Sequence, residues 1–329
     1  MKYSSEDKIN FFISKNPNLK GCNFEKIEGG KNNKAYLIRN KAGTKYFLKE
    51  YYSSKRDKRS RLKIECDFLK FLEKTKIINF PKIIIKDESL NLALFSFING
   101  QKLSTNKITE EYVNQVADFI ISINSLKYNI NFPYMASDYN YSIQSFIDSV
   151  DSRIKKLSFS TDIDFKLKNK LIILRKKIIK LWNIEKLKIN NEFSYSELKT
   201  KVPLFLSPSD IGFHNILINN GKLFFLDFEY SGLDDLVKLV NDFFTCPSVK
   251  IPLKFKQKFI SRLMSSLTTD NLFMRRINAL ERSYKIKWSC ILLNEYLIHS
   301  KDRRIFSKDK HDYNLSSDQY YRSHDLLLS

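Results

Sequence analysis

The segment around Asn220-Gly221 constrains the fold more than any other part of the chain. Two apolar runs, residues 216–218 and 223–226, flank this dipeptide. Asn-Gly between such runs predicts a two-residue hairpin turn, because both positions tolerate positive φ. Counting outward from the turn sets Asn215 opposite the residue that precedes Asp227. The hairpin therefore brings the amide of Asn215 and the carboxylate of Asp227 to its open end.

The hairpin lies in an acidic stretch of a strongly basic chain. The whole sequence has 57 Lys and Arg against 36 Asp and Glu, a formal net charge of +21. Between Lys201 and Thr245 the balance is reversed, with six acidic residues against three basic ones. The acidic residues are Asp210, Asp227, Glu229, Asp234, Asp235 and Asp242. A bound cation is the simplest reason for such a stretch.

Asp210, Asn215 and Asp227 together have the chemistry of a magnesium site. Mg²⁺ takes oxygen ligands, binds through one or two carboxylates and completes its shell with water and phosphate. Taken singly, each residue is also typical of a turn or a strand end, where Asp and Asn bond the local backbone. Their combined spacing, five residues and then one hairpin, favours the metal site over that alternative.

Hydrophobic periodicity predicts an α+β chain with two unequal lobes. Short strand patterns dominate the first part, together with one helix, 54–74. The strand patterns cover 24–28, 35–39, 46–49, 82–85 and 92–97. Helical spacing dominates the rest, over 109–126, 143–157, 165–182, 235–244, 255–267 and 272–298. We therefore expect a small β-rich N-terminal lobe, 1–98, and a larger, mostly helical C-terminal lobe, 99–329.

Composition argues against several classes of protein. No apolar run approaches the roughly 18 residues of a membrane span, and the first residues lack the apolar core of a secretory signal, so we expect a cytoplasmic protein. Four cysteines without CxxC spacing are predicted to be reduced packing residues. Basic residues are spread along the chain and Lys-rich composition follows A/T-rich codons, so no nucleic-acid partner is expected.

Two motifs, SPSDIGFHNIL at 207–217 and LDFEY at 226–230, resemble those of the aminoglycoside phosphotransferase and choline kinase-like family. The resemblance implies a bilobal protein-kinase-like fold that binds ATP and Mg²⁺. By position, Asp210 would orient and deprotonate the acceptor hydroxyl, and Asn215 and Asp227 would hold the metal at the phosphates. Glu229 falls at the family's next acidic position and is assigned to the metal or the acceptor.

Lys49 is the expected phosphate-binding lysine of such a fold. It ends the predicted strand 46–49, where a kinase-like fold places an ammonium that reaches the α- and β-phosphates. Glu65, on the following helix, is its expected partner. Asp67 is the rival, but two positions along a helix turn a side chain by about 200°, so only one of them can face the lysine.

Two further segments are assigned to the nucleotide. Gly29, Gly30, Asn32 and Asn33 lie where a phosphate-covering loop belongs, since glycine lets backbone N–H groups approach phosphate. An ordinary hairpin turn is the alternative for this segment. Phe97, at the end of the strand pattern 92–97, is placed at the hinge beside the adenine.

The chain also departs from the family. Pro208-Ser209 stands where the family has His-Gly, whose histidine buttresses the catalytic loop, and residues 235–238 lack the family's Asp-Pro and final Asp. The preferred hypothesis is Mg-dependent transfer of the ATP γ-phosphoryl group to a hydroxyl of a small metabolite. A sugar or amino alcohol is favoured over a cationic aminoglycoside, because the chain is basic outside the acidic stretch.

Two other hypotheses follow from the same residues. The first is a catalytically impaired, nucleotide-binding pseudokinase that acts through partners, which the missing histidine would explain. The second is a kinase of proteins or larger glycans; the lack of an Ala-Pro-Glu marker after Asp227 argues against a protein substrate. The choice of ATP or GTP, the acceptor and the oligomeric state stay open.

Overall fold

The structure, a computed structural model, describes most of the chain. The described residues are 4–28, 32–54, 59–125, 132–267, 270–308, 313 and 317–329. Gly29 and Gly30 of the expected phosphate-covering loop lie outside them. Within the described part, we find no helix that combines the length and the apolar character of a membrane span.

Five antiparallel strands near the N-terminus form one sheet in the order β1-β2-β3-β5-β4. Their bounds are β1 (Asn23–Ile27), β2 (Lys34–Arg39), β3 (Lys45–Glu50), β4 (Ile83–Asp87) and β5 (Leu92–Ser96). Each lies within two residues of a predicted strand at its ends. Strand β3 is central in the sheet, and Lys49 near its C-terminal end is buried.

Two helices, not the single one predicted, accompany this sheet. Helix α1 (Ser5–Lys15) is held by a capping box between Ser4 and Asp7, and it buries Ile9 and Phe12 against the sheet. Helix α2 (Arg61–Glu73) begins seven residues after the predicted start at Ser54, which is an isolated bridge residue. Residues 55–58 of the predicted helix lie outside the described residues.

The rest of the chain is mainly helical, as predicted. The helices are α3 (Glu110–Asn124), α4 (Ile143–Lys155), α5 (Phe165–Glu192), α6 (Tyr195–Lys199), α7 (Leu236–Thr245), α8 (Lys256–Leu267), α9 (Phe273–Leu292), α10 (Lys301–Lys308) and α11 (Ser317–Leu328). Thr109 is the N-cap of α3, and its hydroxyl accepts a bond from the Tyr112 N–H at 3.4 Å. Helix α5 continues ten residues beyond its predicted end, because Glu185 and Ile189 extend its buried face.

Five short strands lie within the described residues of the helical lobe. They are β6 (Gln101–Lys102), β7 (Leu204–Ser207), β8 (Ile216–Asn219), β9 (Lys222–Phe225) and β10 (Gly232–Asp235). Strands β8 and β9 form the predicted hairpin with Asn219 opposite Lys222. Strands β6, β7 and β10 were not predicted. β10 pairs with β7, which sets Gly232 opposite Ser207.

The fold is therefore α+β, with a β-rich N-terminal lobe and a larger helical C-terminal lobe. The segment between β5 and β6 contains residue 98, which remains our proposed boundary.

One helix differs from its prediction in character. The helix predicted for 235–244 is present as α7, but all ten of its residues are buried, so its polar face lies inside the lobe. Its polar positions, such as Lys238 and Asp242, form ion pairs inside the lobe instead of facing water.

Candidate active site

The hairpin β8–β9 brings Asn215 and Asp227 to its open end, as its register predicts. The N–H of Leu226 donates to the carbonyl of Asn215 at 2.9 Å, which continues the ladder by one pair. Asp227 follows with φ of 63°, a left-handed conformation that ends the strand. This bend turns the Asp227 carboxylate toward the N-terminal sheet.

Lys49 of β3 meets that carboxylate across the two lobes. Its Nζ lies 2.6 Å from Oδ1 of Asp227, 2.7 Å from Oε2 of Glu65 and 3.5 Å from Oε2 of Glu229. Burial disfavours the charged lysine, but attraction to Asp227, Glu65 and Glu229 outweighs it and raises the pKa of Lys49 well above its ordinary value. The ammonium is therefore held charged and in place by acids from two separate parts of the chain, α2 and the segment after the hairpin.

Glu65, rather than Asp67, is the helix residue that faces Lys49. Its Oε2 also accepts from the hydroxyl of Tyr51 at 2.7 Å, and its Oε1 accepts from the backbone N–H of Phe228 at 3.2 Å. Asp67 points elsewhere and accepts from the Tyr134 hydroxyl at 2.6 Å. Glu65 thus joins the lysine, α2 and the segment after the hairpin.

Three carboxylates crowd around this single ammonium. Oxygen atoms of Glu65, Asp227 and Glu229 lie within 4.8 Å of one another. Burial, opposed by Lys49 but reinforced by the two glutamates, raises the pKa of Asp227 to about 7. Three acids with one base leave an excess of negative charge, and Asp227 keeps 38% of its side chain exposed. The donor set therefore fits a hard divalent cation at Asp227, which has oxygen ligands and an open side.

Glu229 occupies a different position from Asp227. Its side chain is 1% exposed, and its Oε2 accepts a short hydrogen bond from the Asn33 amide. The side-chain oxygen Oδ1 of Asn33 in turn accepts from the Tyr52 backbone N–H at 3.1 Å. Asn32, one residue earlier, donates to the Tyr230 hydroxyl at 2.8 Å. Both asparagines thus tie the loop before β2 to the segment after the hairpin.

Asp210 lies next to Asn215 and His214. The Asn215 amide donates to the Asp210 carbonyl at 3.0 Å, and His214 Nε2 lies 3.2 Å from the Asp210 carboxylate. Burial opposes ionisation, but attraction to His214 and hydrogen bonds from His214 and Asn215 lower the pKa of Asp210. Burial likewise opposes protonation of His214, yet Asp210 raises the pKa of His214 to about 10.

The loop that carries Asp210 is tightly packed against His214. A Cβ on Gly212 would lie 2.5 Å from the ring nitrogen Nδ1 of His214, a separation that side chains do not tolerate. The same nitrogen lies 3.8 Å from Sγ of Cys246. Ser209 has φ of 66°, in the left-handed region. Glycine at 212 is therefore required for His214 to reach Asp210.

Only part of the acidic stretch belongs to this site. Asp234 pairs with Lys238, Asp235 pairs with Arg276 at 2.7 Å, and Asp242 pairs with Lys287 at 2.7 Å. These pairs are buried between α7 and α9. A cation would account for the acids at the hairpin end, whereas basic side chains, Lys238 nearby and Arg276 and Lys287 on α9, pair with the other three.

The site contains two residues that the sequence analysis did not predict, Tyr51 and His214. Phe97, which was predicted, lies apart from the site. Tyr51 follows Lys49 by two positions on the same strand face, a period-two signal that was available. His214 stands beside Asn215, but only the close packing at Gly212 turns it onto Asp210. Phe97 is half-buried after β5, with the Lys45 ammonium 5.6 Å from its ring.

Several solved structures with a similar arrangement of strands and helices are small-molecule kinases. A choline kinase from Cryptosporidium parvum Iowa II is similar over 99% of this chain and 96% of its own, with 17% identity and a TM-score of 0.60. Choline kinase LicA from Streptococcus pneumoniae is similar over 97% and 98%, with 15% identity and a TM-score of 0.60. The chain has the fold of these kinases.

A third similar structure contains a nucleotide. A spectinomycin phosphotransferase in complex with ADP and spectinomycin is similar over 92% of this chain and 93% of its own, with 14% identity and a TM-score of 0.58.

No family model and no curated protein sequence matches the chain. The resemblance inferred from the two motifs is thus confirmed at the level of the fold, at identities too low to transfer a substrate.

Proposed function

We propose that the protein transfers the γ-phosphoryl group of ATP to a hydroxyl of a small molecule in a Mg-dependent reaction. One observation carries the proposal: Lys49 of β3 lies between Glu65 of α2 and Asp227 beyond the hairpin, at 2.7 and 2.6 Å. A kinase-like site needs this lysine–glutamate pair together with a metal-binding aspartate. The fold shared with ADP-bound and choline-phosphorylating enzymes supports the same reaction class.

Each residue has a role in this proposal. Lys49, fixed by Glu65, binds the α- and β-phosphates, and the Asn215 oxygen and Asp227 hold the metal. Mg²⁺ held by these residues would neutralise negative charge on the phosphates. Asp210 orients the acceptor hydroxyl and accepts its proton. Catalysis of this kind rests on positioning and charge neutralisation.

Several nucleotide-site assignments are refined by their contacts. Glu229 is buried against Lys49 and Asn33, so we assign it to holding the lysine and the loop rather than to the metal. Asn32 and Asn33 keep a role in fixing the phosphate-covering loop, through Tyr230 and Glu229. Phe97 remains a proposed neighbour of the adenine.

The proposed acceptor is a sugar or an amino alcohol. The similar structures include kinases of choline and of spectinomycin, both small hydroxylated molecules. Reliance on ATP agrees with the cytoplasmic location expected from the sequence. GTP as an alternative donor is left to a direct comparison of the two nucleotides.

A nucleotide-binding pseudokinase is the second candidate, and the contact of His214 with Asp210 favours it. The carboxylate that would accept a proton already pairs with a histidine at 3.2 Å. Pro208-Ser209 replaces the usual His-Gly in the same loop. A pseudokinase would bind Mg·ATP and turn over no acceptor.

A screen of metabolite extract separates the two candidates. Wild-type protein is incubated with Mg·ATP and extract, and phosphorylated products are identified by mass spectrometry. We expect a product that disappears in Asp210→Asn, while ADP affinity is retained. Asp148→Asn, on the exposed face of α4, is the matched control and should keep full turnover. Tight ADP binding without any product would favour the pseudokinase.

A further inference from the structure

Helix α5 (Phe165–Glu192) is the longest helix of the described chain, and one of its faces is exposed. The opposite face buries residues such as Leu171, Ile178 and Trp182 and packs against α4, α9 and α11. Neither α5 nor any of these three helices carries a residue of the proposed kinase site. The exposed face of α5 is therefore a surface separate from that site.

Large apolar side chains lie on this exposed face. At 100° per residue, five of them fall within an arc of about 120°. Helix α9, the next in length, has no large exposed apolar residue. A general excess of Ile and Leu in the sequence would expose such residues on both long helices, so their concentration on α5 calls for another explanation. The five are Phe165 (80% exposed), Ile172 (41%), Ile173 (67%), Ile184 (41%) and Leu187 (64%).

Basic residues interrupt and border the apolar arc. Helix α5 contains nine Lys and Arg residues and two Glu residues. Lys176 and Lys180, one turn apart, fall inside the arc, and both are exposed. Of the nine basic residues, only Lys186 and Lys188 form ion pairs with described residues. The positive charge of the other seven is therefore not neutralised by the described part of the chain.

The two acids of α5 leave no free negative charge on the exposed face. Glu185 is buried and lies 2.9 Å from the Lys188 ammonium. Glu192, at the end of the helix, pairs with Arg275 at 2.6 Å. The face thus combines exposed apolar side chains with unneutralised positive charge over a length of about 42 Å, at 1.5 Å per residue.

An anionic lipid surface matches both properties of this face. Lysine side chains can extend past apolar neighbours, so their ammonium groups reach lipid phosphates while the apolar groups enter between the headgroups. Nucleic acid would match the charge but would leave the isoleucines and the leucine against a polar backbone. Tyr321 of α11 lies beside the face, because Lys170 donates to its hydroxyl at 3.4 Å. It is 51% exposed, and tyrosine suits a boundary between lipid and water.

We propose that the exposed face of α5 docks the protein on an anionic phospholipid bilayer as a peripheral contact. Attraction between the lysines and the lipid phosphates brings the helix to the surface, and burial of the five apolar side chains holds it there. The proposal does not depend on the proposed kinase function, since it rests on different residues.

Co-sedimentation of the full-length chain with vesicles tests this docking. Vesicles of phosphatidylcholine alone are compared with vesicles that also contain about 30 mol % phosphatidylserine, at about 0.1 M salt. We expect the protein to bind the anionic vesicles at least about tenfold more tightly than the neutral ones.

A charge-reversal variant tests the lysines of the face. In Lys176→Glu combined with Lys180→Glu, binding to the anionic vesicles should weaken at least about tenfold, because each positive charge near such a surface adds severalfold to the affinity. The control is Lys63→Glu combined with Lys70→Glu, which makes the same charge change at two exposed positions of α2. The control should bind the vesicles nearly as wild type does.

A second variant tests the apolar part of the face. Leu187→Asn should weaken binding to the anionic vesicles by about fivefold or more, because it removes an apolar group that the bilayer would bury. The matched control is Leu253→Asn, outside α5, where the leucine is 61% exposed against 64% for Leu187. Both leucines are exposed, so the melting temperature should stay close to that of wild type in both variants.

Four results would overturn the proposal. The first is no binding to either kind of vesicle, and the second is equal binding to both. The third is the same loss in the α5 variants as in their controls, which would show that the total charge or another surface binds the vesicles. The fourth is binding of an oligonucleotide that requires Lys176 and Lys180 but not Leu187, in a protein that binds no vesicles, which would assign the face to nucleic acid.

Discussion

The Nζ of Lys49 and the Oδ1 of Asp227 lie 2.6 Å apart, although 178 residues separate them in sequence. This contact joins the central strand of the N-terminal sheet to the end of the hairpin in the helical lobe. Lys49 also contacts Glu65 of α2 at 2.7 Å. The relative position of the two lobes therefore determines whether all three side chains meet.

Breaking the lysine–glutamate pair is expected to lower turnover. In Glu65→Gln the carboxylate that fixes Lys49 is lost, so the ammonium is no longer directed at the phosphates. We expect kcat to fall by about 100-fold, the usual cost of removing one electrostatic group from an active site. The measurement is Mg·ATP turnover with the acceptor found by the screen. The control is Glu73→Gln, at an exposed position on the same helix, which should have wild-type activity. Equal activity of Glu65→Gln and Glu73→Gln would contradict the role of Glu65.

Gly212→Ala should act through His214. The new methyl group would overlap the His214 ring at 2.5 Å and force it away from Asp210. We expect the variant to melt at a lower temperature, as His214→Ala also should. Because both changes remove one contact, the double variant should be no worse than the poorer single variant. Additive losses in thermal unfolding would show that Gly212 acts independently of His214.

The Phe228 side chain should contribute strongly to stability. It is 1% exposed and stacks on Phe68 of α2 at a ring separation of 4.8 Å, directly behind the carboxylate cluster. We expect Phe228→Ala to lower the free energy of unfolding by about 3 to 5 kcal/mol, measured by urea denaturation. Phe165→Ala is the control, since that ring is 80% exposed at the start of α5. Similar losses in the two variants would contradict the packing described here.

The four cysteines should differ in reactivity. Cys22 is partly exposed, whereas Cys66, Cys246 and Cys290 are buried. Burial raises the pKa of Cys66 and of Cys290 to about 12, which suppresses the reactive thiolate. We expect a thiol reagent at pH 8 to modify one cysteine per native molecule, and none in Cys22→Ala. Fast modification of a second cysteine before urea is added would contradict this burial.

The sequence was sufficient for features encoded locally. The Asn220-Gly221 turn determines the hairpin register, and this register alone places Asn215 beside the residue before Asp227. Glu65 was the expected partner of Lys49, and helical spacing showed that Glu65 and Asp67 could not both face it. Helix α1 could also have been found, because Ser4 and Asp7 form a capping box that is visible in the sequence.

Other features depend on contacts between distant segments. β7 and β10 are four residues each and are recognisable only through their pairing. The carboxylates of Asp235 and Asp242 are neutralised by basic residues on α9. Nothing in the sequence next to either aspartate indicates this pairing. The contact of His214 with Asp210 requires the packing at Gly212, which no sequence pattern specifies.

The central claim is that Asp227 binds a metal together with a nucleotide held by Lys49. Calorimetric titration of ADP with and without Mg²⁺, in wild type, Asp227→Asn and the surface control Asp148→Asn, tests it most directly. The account predicts that Mg²⁺ tightens ADP binding in wild type and in the control, and that Asp227→Asn weakens Mg·ADP binding by about tenfold or more. ADP binding of equal affinity with and without Mg²⁺, or the same affinity in all three proteins, would contradict it.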